Sequence, residues 1–307
     1  MVRRAVRMTR SPPLPSGTIA LLRQALAEDR VDRDITTLAL FPAPRRAGAV
    51  VLAEADAVVS GVAVAVAIGR LTGVVVRPQV TDGASVRRGT PVLRLEGDLR
   101  TIISIERTLL NFLMHLSGVA TVTRATVRAL GGEGSPAVYA TRKTLPGLRA
   151  LEKAAVVHGG GRPHRSDLSD AILVKNNHLA FRTVGDAVAE LKRGVGRRRP
   201  VEVEVRGRRD ALAAVDAGAD AILIDNASPR TARSIARAAR SRAGARSLWV
   251  EVSGGLTPEN VRRYRRVGAD AASLGAITHS APAVPFHLRV EAEPPARSPV
   301  ARAPRAR

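Results

Sequence analysis

Arg142, Lys143, His164, Arg165 and Lys175 fall close together in the chain, inside the strings TRKTLPGLR, GGGRPHR and ILVKNNH. Cations gathered in one pocket repel each other unless an anion sits among them. Each charge-assisted hydrogen bond to such an anion contributes roughly 1.5–3 kcal/mol, so the group suits a small molecule with several negative charges. A solvated charge run would not be bracketed by these strings. Only four of the 49 basic residues are lysine, the other 45 being arginine, yet Lys143 and Lys175 stand in two of the three strings. Lysine is a compact point charge and arginine a planar fork, so their retention there points to a chemical need.

Carboxylates and glycines complete the inventory. Glu204 and Asp225 lie about one strand–helix unit apart. Carboxylates placed among phosphates hold Mg²⁺, directly or through water, or contact ribose hydroxyls; the plainer alternative is that one of them pairs with a nearby cation. Glu202 stands two residues before Glu204, on the same strand face and deeper, and the spacing leaves open which is nearer a ligand. The runs Ser253–Gly254–Gly255 and Leu274–Gly275–Ala276 each follow an apolar segment. Alone, either is a turn. As a pair after the last two strands of an α/β unit they suit phosphate, because glycine lets backbone N–H groups approach an anion. The histidines show no metal-ligand spacing. The chain has no cysteine, which removes disulfides, thiolate metal sites and a cysteine nucleophile.

These residues need elements to position them. Residues 18–26 have helical spacing. Strand-like runs follow at 47–53, 74–80 and 91–95, forming a small β-rich unit. Residues 104–123 are helical in period, with Leu109, Phe112, Leu113 and Leu116 on one face. From residue 137 onward short strands (138–140, 172–174, 201–205, 221–224, 248–252 and 271–274) alternate with helices such as 210–217, 229–239 and 258–267. That alternation predicts a parallel sheet, and its repetition suggests a barrel. Thr141–Arg142–Lys143, Lys175, Glu204, Asp225, Ser253 and Gly275 all stand at or just past strand ends, where α/β barrels carry their active sites.

The bulk properties bound the class. The 307 residues are 45% hydrophobic, enough for a sizeable core, and carry a formal net charge of +22. Such a charge can signal a nucleic-acid partner. Seven aromatic residues leave little for base stacking, and many arginines stand in tails and loops, so a solvated basic surface is the preferred reading. No apolar run reaches the roughly 18 residues of a membrane span, and no apolar signal core follows the N-terminal arginines; the expected location is cytoplasmic.

The strings ERTLLNFLMHLSGVAT, TRKTLPGLRALEKAAV, HGGGRPHR, ILVKNNH, VEVEV, ILIDN, VEVSGG and SLGAITHS occur in this order over most of the chain. Together they resemble the quinolinate phosphoribosyltransferase family. The resemblance implies an α/β fold: an N-terminal α/β sandwich domain plus an incomplete TIM-like α/β barrel. The expected units are a basic tail at 1–16, the sandwich at 17–123 with 280–290 packing back on it, the barrel at 124–279, and a second tail at 291–307. It implies reaction of quinolinate with phosphoribosyl pyrophosphate, giving nicotinate mononucleotide, pyrophosphate and CO₂, with Mg²⁺ accompanying the pyrophosphate. Arg142, His164, Arg165 and Lys175 would surround quinolinate, with Thr141 beside them. Lys143 would lie between quinolinate and the donor. Lys143, Glu204 and Asp225 would be the catalytic residues, the two carboxylates serving ribose and Mg²⁺. Ser253, Gly254, Gly255, Leu274, Gly275 and Ala276 would cradle phosphate. Arg107 would reach in from the second chain of a homodimer with shared active sites, a hexamer being the larger assembly allowed. The chain departs from the family pattern at Ala140, where Asp is common, at Pro163 and Asp167, where Asn and Gly are usual, at Asn176, usually acidic, and at VPFHL (284–288), usually LDxSL. Two rivals remain: a molybdate-transport-associated relative of the same fold, which the intact His164–Arg165 pair and Lys175 oppose, and a nucleic-acid-binding protein.

Overall fold

The computed structural model describes residues 14–131, 134–195 and 199–291. The two basic tails lie almost wholly outside these residues, as do Arg197 and Arg198. The N-terminal part opens with α1 (Thr18–Glu28) and α2 (Ile35–Leu40), the latter capped by Asp34, whose carboxylate accepts from Thr37 N at 3.0 Å. Then come β1 (Arg46–Ala53), β2 (Ala57–Val58), α3 (Val62–Thr72), β3 (Val75–Pro78), β4 (Ser85–Val86) and β5 (Pro91–Asp98). The spacing had predicted the same helix and the three longer strands.

Helix α4 (Leu99–Leu130) is longer than its apolar period suggests. Asp98 caps its start, accepting from Arg100 N at 3.4 Å. Leu109, Leu113 and Leu116 are buried as the period requires, while Phe112 is only partly covered. The helix runs unbroken past residue 123. One contiguous hydrophobic cluster therefore extends from the N-terminal sheet through α4 into the second half of the chain.

That half holds β6 (Ala137–Tyr139), α5 (Arg149–His158), β7 (Ile172–Val174), α6 (Asn176–Leu179), α7 (Val184–Arg193), β8 (Val201–Val205), α8 (Arg208–Asp216), β9 (Ala221–Asp225), α9 (Pro229–Ala243), β10 (Trp249–Ser253), β11 (Ala271–Ser273) and α10 (Ala276–His279). Among the described residues the strands pair in parallel in the order β6-β11-β10-β9-β8-β7. The last strand thus returns to the first, and the seam between β6 and β7 stays open. On that side Arg162 lies along β6, its N donating to Val138 O and its O accepting from Ala140 N, both at 2.8 Å. Strand β8 shows how the sheet sorts its residues. Val201, Val203 and Val205 are fully buried against the helices, so Glu202 and Glu204 take the other face.

Strand β12 (Phe286–Glu291) leaves the barrel and joins the N-terminal sheet, giving the order β12-β1-β5-β3 with antiparallel pairing. Val284, in the departing VPFHL run, is buried and donates its N–H to Met114 O at 3.1 Å. The helix expected over 258–267 is replaced by a short 3₁₀ turn at Val261–Tyr264. Thr257 and Asn260 bond reciprocally there, and Asn260 Nδ2 donates to Gly255 O at 2.8 Å, which locks the segment to the glycine loop before a helix can propagate. No helix among the described residues is long and apolar enough to cross a membrane.

Candidate active site

The end of β6 turns sharply. Thr141 Oγ1 accepts from Lys143 N at 2.9 Å, and Arg142 O accepts from Thr144 N at 3.0 Å. The turn leaves Arg142 with a buried Nε that has no partner. It also lays Lys143 onto Gly275, just past the end of the neighbouring strand β11. A Cβ at Gly275 would meet Lys143 Cδ at 2.9 Å, and Thr278 Oγ1 donates to Lys143 O at 2.7 Å. A side chain at 275 would have to push Lys143 aside. Leu274, buried beneath, donates its N–H to Tyr139 O at 3.0 Å, so β6, Gly275 and Ala276 form one local unit.

The second glycine loop closes on the neighbouring carboxylate. Gly254 and Gly255 have φ of 79° and 63°, a left-handed pair that favours glycine. A Cβ at Gly254 would stand 2.5 Å from Asp225 Oδ1. Asn226 N donates to Ser253 O at 2.8 Å, and Ser253 Oγ donates to Ser273 O at 3.3 Å. Asp225 therefore lies against the Ser253–Gly254–Gly255 backbone. Arg206 Nε stands 3.8 Å from Asp225 Oδ2. Glu204 accepts a hydrogen bond from Asn176 Nδ2. Lys175 is exposed at the end of β7, and its N–H donates to His178 Nδ1 at 2.9 Å; that contact gives His178 a structural role.

His164 adopts φ 53°, unusual for a residue with a side chain. Its Nδ1 accepts from Arg165 N at 2.7 Å, which points Nε2–H at Glu251 Oε2, 3.3 Å away. His164 thus enters this structure as an oriented hydrogen-bonding ring, packed edge-on against Tyr139 at 5.9 Å. Arg165 donates to Ala171 O at 3.4 Å. Burial, followed by the charge of Arg142, lowers its proton affinity, and Glu202, Glu251 and Asp170 oppose the shift.

Glu202 is the deeper of the two β8 carboxylates. Burial and then Glu251 push its proton affinity well above the carboxylate range, while Arg165 pulls it back. His164, Glu202 and Glu251 bring ligand-type atoms within 4.8 Å of one another. Glu202 Oε1 and Glu251 Oε1 have no partner. With Arg142 Nε they are the orphaned buried side-chain atoms found among the described residues.

Three groups escaped sequence reasoning. Glu251 is a charge between two buried valines in β10, and it is itself only 2% exposed; a lone carboxylate in an apolar strand was the available signal. Glu152 and Lys153, adjacent on α5, are both buried. Glu152 accepts from Leu145 N at 3.2 Å and bonds His115 Nε2 at 2.8 Å. Lys153 donates to Pro163 O. One turn of helix thereby ties the loop carrying Arg142 and Lys143 to the loop carrying His164 and Arg165. Burial first, then Arg149, bring Lys153 down to about 8.

Arg107 is placed elsewhere in the chain. It stands on α4 with its side chain 63% exposed, beside a cavity of about 420 Å³ that Leu21, Asn111, His115 and Leu148 also line. None of the barrel cations borders that cavity.

Comparison with known proteins agrees over both halves. Residues 34–117 match the quinolinate phosphoribosyl transferase N-terminal domain and 119–289 the C-terminal domain of the same family. A protein of Methanothermobacter thermautotrophicus named "Probable nicotinate-nucleotide pyrophosphorylase (carboxylating)" is 39% identical over 88% of this chain and 98% of its own. The nicotinate-nucleotide pyrophosphorylase (carboxylating) of Mycobacterium leprae is 39% identical over 84% and 92%. The crystal structure of NadC from Streptococcus pyogenes superposes with a TM-score of 0.84 at 35% identity, covering 92% of this chain and 99% of that one. With family domains matching both halves and an open parallel barrel in the second, the chain belongs to the quinolinate phosphoribosyl transferase family.

Proposed function

We infer that this protein is the carboxylating nicotinate-nucleotide pyrophosphorylase of NAD biosynthesis, an enzyme that makes nicotinate mononucleotide from quinolinate and phosphoribosyl pyrophosphate. The observation that carries the reading is the half-buried pair of Arg142, whose buried Nε has no partner, and Arg165 at a barrel mouth that also holds two glycine loops. Quinolinate brings two carboxylates to those cations. The pyridine nitrogen's lone pair forms the bond to the anomeric carbon, and the bond to pyrophosphate breaks with its electron pair leaving on oxygen. Positive charge develops on the ribose, where Glu204 and Asp225 stabilise it. The C–C bond to the 2-carboxylate then breaks. Its electron pair stays on the ring carbon beside the positive nitrogen, CO₂ departs, and a proton from water fills the carbon. The substrate supplies its own electron sink.

Within this reading Arg142, His164, Arg165 and Lys175 hold quinolinate with Thr141 beside them. Lys143 faces both substrates, and Ser253, Gly254, Gly255, Leu274, Gly275 and Ala276 cradle phosphate. Two carboxylates on adjacent strands, both hard oxygen donors, suit Mg²⁺. Glu204 and Asp225 would hold it, and it would neutralise charge on the pyrophosphate. Asn176 supports this use, since its amide donates to Glu204 without adding a further negative charge. The reading includes a cytoplasmic homodimer, with a hexamer as the larger assembly. Arg107 of one chain completes the partner's site, which accounts for its standing exposed and away from the barrel cations.

The test mixes pure protein with quinolinate, phosphoribosyl pyrophosphate and Mg²⁺. Nicotinate mononucleotide and CO₂ are the expected products; use of nicotinate or nicotinamide in place of quinolinate would sink the assignment. Shared sites have their own test. Arg107→Ala and Lys175→Ala are each expected to be inactive, and a re-equilibrated equal mixture should regain about a quarter of the wild-type activity, since about half the dimers are mixed and each restores one site. No regain would refute sharing.

A further inference from the structure

The cations explain how a dianion is held, but gripping it harder does not help it lose CO₂. In the ground state the 2-carboxylate carries a full charge. As the C–C bond breaks, that charge moves onto the ring carbon, where the positive nitrogen offsets it. Guanidinium groups bound tightly to the carboxylate stabilise the starting state more than the transition state and so slow the step. A pocket built for decarboxylation needs negative charge set among its cations.

Glu251 has the required position. It projects from β10 into the barrel interior and is buried. From the loop after α5, His164 Nε2 reaches its Oε2 at 3.3 Å. From β8, Glu202 comes within 4.8 Å. Arg165 feels both carboxylates. Among the described residues no guanidinium hydrogen-bonds Glu251, and its Oε1 has no hydrogen-bond partner. The cluster also has the composition of a metal site, but Arg165 already supplies the positive charge that an ion would bring. A carboxylate placed merely to neutralise an arginine would be engaged by it, usually in a bidentate pair. This one is withheld from the guanidinium groups and points at the ring that borders the substrate.

We propose that Glu251 is a positioning residue for decarboxylation, holding His164 in orientation and setting a negative charge against the cations so that the leaving carboxylate is bound loosely enough to depart. The inference rests on the reaction assigned above. It concerns the second chemical step and leaves formation of the C–N bond to the other groups.

Glu251→Gln keeps the side chain's shape and an oxygen for His164 while removing the charge. The expected result is a KM for quinolinate about threefold lower together with a kcat about tenfold lower, the signature of lost ground-state destabilisation. In a single turnover, nicotinate mononucleotide and CO₂ should lag behind pyrophosphate as the undecarboxylated nucleotide accumulates. Phthalate, a dianion that cannot react, should bind the variant more tightly by calorimetric titration. Glu251→Asp, which keeps the charge, is expected to recover most of the turnover that Gln loses, with KM no lower than wild type. A KM that rises in Glu251→Gln, weaker phthalate binding, or equal loss in Asp and Gln would overturn the proposal and leave Glu251 a structural support for His164. Should Glu251→Gln fail to fold, the Asp variant decides alone: a raised KM with turnover lost counts against the charge role. A wild-type protein that makes no nicotinate mononucleotide fails at the earlier point, the reaction itself, and is recognised by that control.

Discussion

At the N-terminal ends of the barrel strands, Asp220 and Asp270 perform one task twice. Asp220 Oδ2 accepts from Val201 N at 2.7 Å and from Lys192 Nζ, and Asp270 Oδ2 accepts from Val250 N and Arg240 Nη2, both at 2.8 Å. Each carboxylate starts a strand and is neutralised by a cation from a flanking helix. In the barrel interior and at the opposite strand ends, the buried atoms Arg142 Nε, Glu202 Oε1 and Glu251 Oε1 have no hydrogen-bond partner among the described residues. Native interiors rarely leave such atoms unpaired, because each costs about 1–3 kcal/mol. The contrast separates the charges paired in building the barrel from the buried charges that the rest of the protein leaves unpaired.

The largest effect that can break this comparison is at the ligand end. Arg165→Ala should lower kcat/KM by about 1,000-fold, roughly 4 kcal/mol of lost substrate and transition-state interaction, while leaving the melting temperature near wild type. A variant that melts far earlier but keeps its catalytic efficiency would make Arg165 a structural residue. The converse holds at the other end. Asp270→Ala should cost about 2 kcal/mol of stability by orphaning Val250 N and Arg240, read as a melting temperature lower by several degrees, with kcat unchanged in the folded fraction. Loss of turnover without loss of stability there would erase the distinction.

An effect spread over a range of pH comes from Lys153, which lies between the two regimes. Its proton affinity falls from the ordinary 10.5 to about 8 in the fold. Between those values the unfolded chain keeps a proton that the folded chain has released, so stability rises with pH across that window. Below about 8 both states are protonated and the full cost of burying the charge remains. Lys153→Met removes this slope: the stability of wild type relative to the variant should grow from pH 8 to pH 10, measured by denaturant titration. A constant difference would show that Lys153 titrates normally.

Much of this site was legible in the residues. Thr141–Arg142–Lys143, His164–Arg165 and Lys175 were marked by type and by falling after apolar runs, and the paired glycine loops by their place after the last strands. These are local signals, repeated along the chain with the period of its elements. Asn176 was visible as a departure whose consequence was not: its amide bonds Glu204 across 28 residues of sequence. Glu251 was hidden for the same reason, because its neighbours His164 and Glu202 are far from it in the chain. The 3₁₀ turn at Val261–Tyr264 was read as a helix because its apolar spacing is helical, and the competing bonds from Thr257 and Asn260 decided otherwise.

By itself, then, the sequence determined the alternation of strand and helix in the second half of the chain, a group of cations suited to a small polyanion and the likeness to the family, since these rest on residue type, spacing and motif. Tertiary structure alone decided that Glu251 faces His164, that Glu152 and Lys153 bind two loops to one helix, and that Arg107 stands apart from the barrel cations it was expected to join through a partner. Each of these is a contact between segments distant in the chain, and burial, which turns a carboxylate from a solvated charge into an organising one, exists only once the barrel has formed.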